Sequence, residues 1–368
     1  MTVKIPESIL VCHEADKAKE FVGRIWGKKA TFVCTIGNTE TGKIPGISAA
    51  GAVPEITDFT PAADVELLYY GKCKCFDGVP VTPTGIPTPG IITMSAIKLA
   101  NMPIFSANGG VNVRPTAPYF ELDGKAGKDI RTGKAVENPR KVYETAVIAG
   151  ESLAAVSEVL VVGESIAGGT TTALGVLTAL GYDARGKVSS SMADNPHSLK
   201  DEVVRIGIKN SGLTLEQMRQ DPMLAIAAVG DPMMPAAAGL VVGAARHIPV
   251  IMAGGTQMAA VLALVKGMEP GVLPNLAIGT TKWIVKDGTS NICDLVSQIG
   301  KVPVLAANLD FGPSKHPGLS IYETGIVKEG VGAGGASIAA ITSSKGKIDC
   351  KALLQTIEQN YEMLMKKQ

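Results

Sequence analysis

Short apolar runs recur between helical segments from about residue 136 onward, and no other feature of the chain limits its fold as much. The runs fall at residues 158–162 (EVLVV), 224–229, 249–253, 274–278 and 303–307. Helical patterns fill the gaps at 139–156, 170–180, 235–246, 257–266 and 292–299. A strand that is polar at alternate positions can leave one face to water. These runs cannot, so both faces of each strand must be covered. Strands alternating with helices meet that demand as a three-layer α/β/α domain with a mostly parallel, Rossmann-like sheet. Two helix starts are also legible. Asn195-Pro196 reads as a cap and first-turn proline for a helix reaching about Lys209. Thr214-Leu215-Glu216-Gln217 is a capping-box pattern.

The first hundred residues are less regular. Residues 30–36 (ATFVCTI) and 65–70 (VELLYY) read as strands, with a loop rich in Gly, Thr, Ser and Pro at 37–54. Residues 79–90 hold Pro80, Pro83, Pro87 and Pro89, which forbid a regular helix or an inner strand. That segment is either a linker or a rigid wall of a site. Residues 91–101 read as a helix, and 103–107 as a strand ending in Asn108-Gly109-Gly110. The 368 residues fit one large α/β domain over 1–345. An amphipathic helix at 349–367 then packs within 346–368 as a cap or a dimer contact.

Several function classes recede. Lys plus Arg (35) nearly balance Asp plus Glu (34), so no broad field draws nucleic acid or an anionic membrane. Aromatics at 4% leave little for base stacking. Of six cysteines only Cys73 and Cys75 are close, and the four histidines form no ligand pair, so no metal site is expected; no cofactor is expected either. The thiols are expected to be reduced, in a cytoplasmic protein. No signal peptide is read in the first ten residues. The uncharged run 248–265 is interrupted by Gly254-Gly255-Thr256-Gln257 and suits a strand, loop and helix better than a membrane span. No G-x-S-x-G elbow is present, which disfavours a hydrolase.

Ligands of open parallel sheets bind beyond the carboxyl ends of the strands. After EVLVV comes Gly163-Glu164-Ser165-Ile166-Ala167-Gly168-Gly169-Thr170-Thr171-Thr172. Glycines admit an anion to the backbone, and a helix start points N–H groups at it. The alternative is a tight turn that packs helix on sheet. Glu164 stands at the strand's tip, where ligands bind. A second cluster, Lys328-Glu329-Gly330-Val331-Gly332-Ala333-Gly334-Gly335, precedes a helix at 336–341 and alone is a weak phosphate-loop signal. The third, Ser189-Ser190-Ser191-Met192-Ala193-Asp194, offers hydroxyls with Lys200 on the next helix, or is a solvated loop. Gly109-Gly110-Val111-Asn112 and Gly254-Gly255-Thr256 read as plain turns.

Taken in order, these clusters resemble the nicotinate-nucleotide:dimethylbenzimidazole phosphoribosyltransferases. That family carries Gly-Glu-Met-Gly-Ile-Gly-Asn-Thr-Thr after a strand; here Gly163, Glu164, Gly168, Thr170 and Thr171 match. It also carries Gly-Glu-Gly-Thr-Gly-Ala near its end; here Glu329, Gly330, Gly332 and Ala333 match, and Lys328 and Val331 do not. The similarity spans about residues 105 to 345 and is most like a divergent archaeal branch. The family's asparagine is Gly169 here, and its aspartate at the end of a valine-rich strand is Ala253.

The resemblance implies a small helical cap from the termini and a homodimer. It implies transfer of 5-phosphoribosyl from nicotinate mononucleotide to a benzimidazole-type base, giving an α-ribotide for the lower ligand of cobamides. By resemblance Glu329 is the general base. The phosphate sits on Gly168, Gly169, Thr170 and Thr171 with Lys200 as cation. Glu164 places a ring or ribose, and small residues including Gly330 and Gly332 leave room for a flat base. The partners are thus a nucleotide and an aromatic base, with no nucleic acid and no membrane. Transfer to another aromatic base and non-catalytic nucleotide binding remain open alternatives.

Overall fold

Eight strands make one sheet: β1 (Ile9–His13), β2 (Ala30–Gly37), β3 (Ile104–Gly110), β4 (Phe120–Glu121), β5 (Val159–Ser165), β6 (Val250–Ala253), β7 (Leu276–Thr281) and β8 (Val304–Ala307). The computed structural model describes residues 4–48, 54–78, 81, 85–192 and 194–365. Parts of the Pro-rich segment (79, 80, 82–84), of the loop before it (49–53), Ala193 of the serine-rich segment, and the ends 1–3 and 366–368 lie outside the described residues. The strand order is β1-β8-β7-β6-β5-β2-β3-β4. Every pair is parallel except β1 with β8 at the edge.

The unbroken apolar runs have a direct cause. All residues of β2 and β5 are buried. Along them, successive side chains enter two different cores. Val33, Leu160 and Val162 join one, with helices Pro139–Ala154, Gly169–Ala179, Met233–Ala245 and Gln257–Met268. Phe32, Cys34, Val159 and Val161 join the other, with helices Ala15–Ile25, Gly90–Ala100, Ala333–Ser343 and Cys350–Met365. The α/β/α sandwich expected from the sequence is therefore present. The C-terminal helix packs on Gly90–Ala100, where buried Asn360 donates to Ser95 Oγ at 2.8 Å and accepts from Lys98 Nζ at 3.2 Å.

Two expected strands are helices. Residues 65–70 belong to Thr60–Tyr70, which has a proline in its first turn and is buried from Pro61 through Leu68. Residues 224–229 belong to Pro222–Val229, capped by Asp221, whose side chain accepts from the Met223 N–H. A helix covered on nearly every side loses its polar face, and with it the 3.6-residue period that marks a helix. The capping box at Thr214 is present. Asn195 does not cap helix His197–Ser211, which starts without a side-chain cap; its amide is used elsewhere, as described below. Edge strand β1 and helix Ala15–Ile25 carried no signal read from the sequence.

The chain leaves β2 toward β3 on one side and returns to β5 on the other, so the strand order reverses between β2 and β5. Such a reversal opens a crevice at the carboxyl ends of the strands.

Candidate active site

The crevice holds a cavity of about 380 Å³. Glu164 to Thr170 form one side, and Ser189 to Ser191 and Val327 to Val331 another. Asp64, Phe76, Thr88 and Pro89 close the remaining wall. The Pro-rich segment, as far as it is described, is thus a wall of the site.

Two motifs some 165 residues apart in sequence meet back to back here. The Val331 N–H donates to the Glu164 carbonyl at 3.0 Å. Gly332 has φ +72° and lies so close to Gly163 that a β-carbon on it would come within 3.0 Å of Gly163 Cα. Any larger residue would wedge the two motifs apart, so Gly332 serves this contact and does not line the cavity. Gly168, at φ +82°, likewise presses on Gly42, within 2.6 Å of a β-carbon placed on it.

Glu329 is held at the cavity by the N–H groups of Gly330 (3.2 Å) and Gly334 (3.2 Å) and by the Thr280 hydroxyl (3.4 Å). Burial pushes its carboxyl up to about 7, against the pull of those backbone N–H groups. Glu164 is buried and accepts from the Gln257 amide at 3.3 Å. Burial raises it well above the usual carboxylate range, and the charges of Glu329, Asp231 and Asp64 add to that. Glu164 is therefore shifted toward its protonated form, beside a Glu329 carboxyl raised to about 7.

Both departures from the family pattern have local reasons. A β-carbon at Gly169 would come within 2.3 Å of Gln257 Nε2, so an asparagine at 169 would displace the amide that serves Glu164. Ala253 packs against the first turn of helix Ala333–Ser343, 2.3 Å from a β-carbon placed on Gly335. An aspartate there would be driven into the core, and the position does not line the cavity.

The expected phosphate residues divide. Gly168, Gly169 and Thr170 line the cavity, as do Glu164, Glu329 and Gly330. Thr171 does not: its side chain is fully buried, and its hydroxyl has no hydrogen-bond partner among the described residues. Lys200 stands behind the wall, fully buried. Its Nζ donates to the Ser189 carbonyl at 2.6 Å and to Thr170 Oγ1 at 2.9 Å. Burial and, after it, the like charge of Lys328 lower its proton affinity to about 7, against the opposing pull of Asp287.

Lys328, which breaks the family motif, proves structural. It pairs with Asp287 at 3.1 Å, the two side chains 3% and 5% exposed. It also donates to the carbonyls of Met192 (2.9 Å) and Ser190 (3.4 Å). Two buried lysines thus grip the consecutive carbonyls of Ser189 and Ser190, so the start of the serine-rich segment is held in place. The Asn195 amide is spent here, donating to Asp287 at 3.1 Å and Thr289 Oγ1 at 2.7 Å. Burial works against the Asp287 charge, but hydrogen bonds from Thr289 and Asn195 and the Lys328 charge hold it down at about 2. Asp64 and Asp287 were not anticipated; each lies on an element with no motif around it.

A family model described as phosphoribosyltransferase matches residues 124–312, which take in the β5 turn, the serine-rich segment and Lys200. A UPF0284 protein of Methanothermobacter thermautotrophicus is 46% identical over 318 residues, covering 85% of this chain and 88% of the relative. A UPF0284 protein of Sulfolobus acidocaldarius is 45% identical over 335 residues, covering 91% and 95%. Among solved structures, CobT from Thermus thermophilus superposes with a TM-score of 0.56 at 19% identity, covering 90% of this chain and 89% of that one. A nicotinate-nucleotide-dimethylbenzimidazole phosphoribosyltransferase structure from the same organism gives 0.54 at 18%, covering 90% and 88%. These two likenesses establish the fold. No described helix is long and apolar enough to cross a membrane. The chain belongs to the phosphoribosyltransferase family to which its motifs pointed, together with the UPF0284 proteins.

Proposed function

We propose that the protein transfers 5-phosphoribosyl from nicotinate mononucleotide to a benzimidazole-type base, yielding an α-ribotide for the lower ligand of cobamides. The observation that carries this is Glu329: a carboxyl held near neutral proton affinity at the floor of a cavity sized for a flat ring. The acceptor's ring nitrogen attacks C1′ of the ribose. The bond from C1′ to the pyridinium nitrogen breaks, its electron pair neutralises that ring, and nicotinate leaves. The acceptor's N–H proton passes to Glu329. Burial shifts Glu164 toward its protonated form, which eases the negative charge beside Glu329. The phosphate is placed at the start of helix Gly169–Ala179, where the helix dipole favours an anion, with Lys200 behind Thr170. A homodimer and a cytoplasmic location belong to the same proposal, carried from the family resemblance. The test is product analysis with nicotinate mononucleotide and a panel of 5,6-dimethylbenzimidazole, adenine and a phenol. An α-ribotide of the benzimidazole is expected; its absence with every base defeats the proposal.

The pH profile follows from two groups. Transfer needs Glu329 deprotonated, so kcat/KM rises as pH climbs toward about 7. Phosphate attraction needs Lys200 protonated, so kcat/KM falls above about 7. The expected profile is a bell centred near neutrality. Lys200→Gln removes the falling limb and keeps the rising one; a falling limb that survives the substitution assigns it to another group.

A further inference from the structure

One carboxyl in the cavity wall has no task in the transfer just described. Asp64 lies on helix Thr60–Tyr70, just before the residues 65–70 that read as a strand, and it is 3% exposed. Thr88 Oγ1 donates to its Oδ1 at 2.8 Å and Ser165 Oγ to its Oδ2 at 2.7 Å. Both donors are neutral, and among the described residues no lysine or arginine is paired with it. Burial pushes its carboxyl up to about 6, against the pull of the two hydroxyls.

Stapling Thr88 to Ser165 does not require an acid. An asparagine could accept from one hydroxyl and donate to the other, without a buried charge. A buried carboxylate lacking a cation is costly unless its remaining lone pairs are also satisfied. Each oxygen takes two hydrogen bonds, and the described residues supply one to each. Asp64 is part of the cavity wall, and Ser165 directly follows Glu164 on β5. Pro89, next to Thr88, packs against Gly330, 3.4 Å from a β-carbon placed there. The carboxyl therefore borders the space between Glu164 and the Glu329 turn.

We propose, resting on the transfer reading, that Asp64 is a substrate-binding residue that accepts from an O–H or N–H edge of a ligand in the cavity. That edge is either the ribose hydroxyls of the nucleotide or an amino N–H of the acceptor base. The test is calorimetric binding to the wild-type protein and to Asp64→Asn. The ligands are nicotinate mononucleotide, its 2′-deoxy and 3′-deoxy analogues, adenine and purine.

If the ribose is the source, wild type binds a deoxy analogue at least tenfold more weakly than the parent, and Asp64→Asn no longer distinguishes them. If the base is the source, the same loss of discrimination appears between adenine and purine. Wild type indifferent to both deletions overturns the proposal, whether or not the variant folds. So do variant affinities all within twofold of wild type at unchanged Tm. Binding with the expected discrimination but no transfer to any base defeats the transfer reading and leaves Asp64 as a ligand contact. No binding of any of these ligands to wild type overturns both.

Discussion

Glu329→Gln is expected to lower kcat/KM for the proposed phosphoribosyl transfer by roughly 10²–10⁴-fold, the range a positioned general base contributes. Glutamine keeps the size and one acceptor oxygen of the carboxyl, so contacts with Gly330, Gly334 and Thr280 are partly retained. It cannot take up the acceptor's proton. The nucleotide itself makes no use of that proton, so its Kd is expected to stay within about threefold, as general bases act on the reacting step rather than on ground-state binding. Steady-state kinetics with paired calorimetry separate the two effects. A variant that keeps more than a tenth of wild-type kcat/KM assigns the proton to another group.

The largest stability effect is expected from Lys328→Met. Methionine fills the path of the lysine stem but leaves Asp287 buried without its cation, and it frees the carbonyls of Ser190 and Met192. Breaking a buried pair from one side costs about 3–5 kcal/mol. For a chain of 368 residues that lowers Tm by about 4–6 °C. Asp287→Asn in the same background is expected to recover part of the loss, because the orphaned charge is then gone. Thermal unfolding of the two variants checks this. A single variant within 1 °C of wild type shows that Asp287 is satisfied by Thr289 and Asn195 alone. Loosening of the serine-rich segment also predicts a higher KM for the nucleotide.

The sheet was legible because its strands are buried on both faces, and an apolar run such as Val159 to Val162 leaves a plain mark in sequence. The same burial misled at residues 65–70 and 224–229, where helices sunk in the core read as strands. The candidate site was legible where glycines and acids cluster, in that Glu164, Gly168, Gly169, Thr170, Glu329 and Gly330 line one cavity. Asp64 and Asp287 left no mark, since a single aspartate acquires meaning only from partners distant in sequence, such as Ser165 and Lys328. Thr171 and Gly332 carried the right motif positions, yet packing decides their roles: one side chain is buried away from the cavity, and the other position is the seam between two loops.

The central claim is transfer at Glu329, and it is tested most directly by nicotinate release from nicotinate mononucleotide with and without 5,6-dimethylbenzimidazole. Release that depends on the base and collapses in Glu329→Gln is the predicted result. Tight nucleotide binding with no release for any base would contradict it and leave a protein that holds the nucleotide without turning it over.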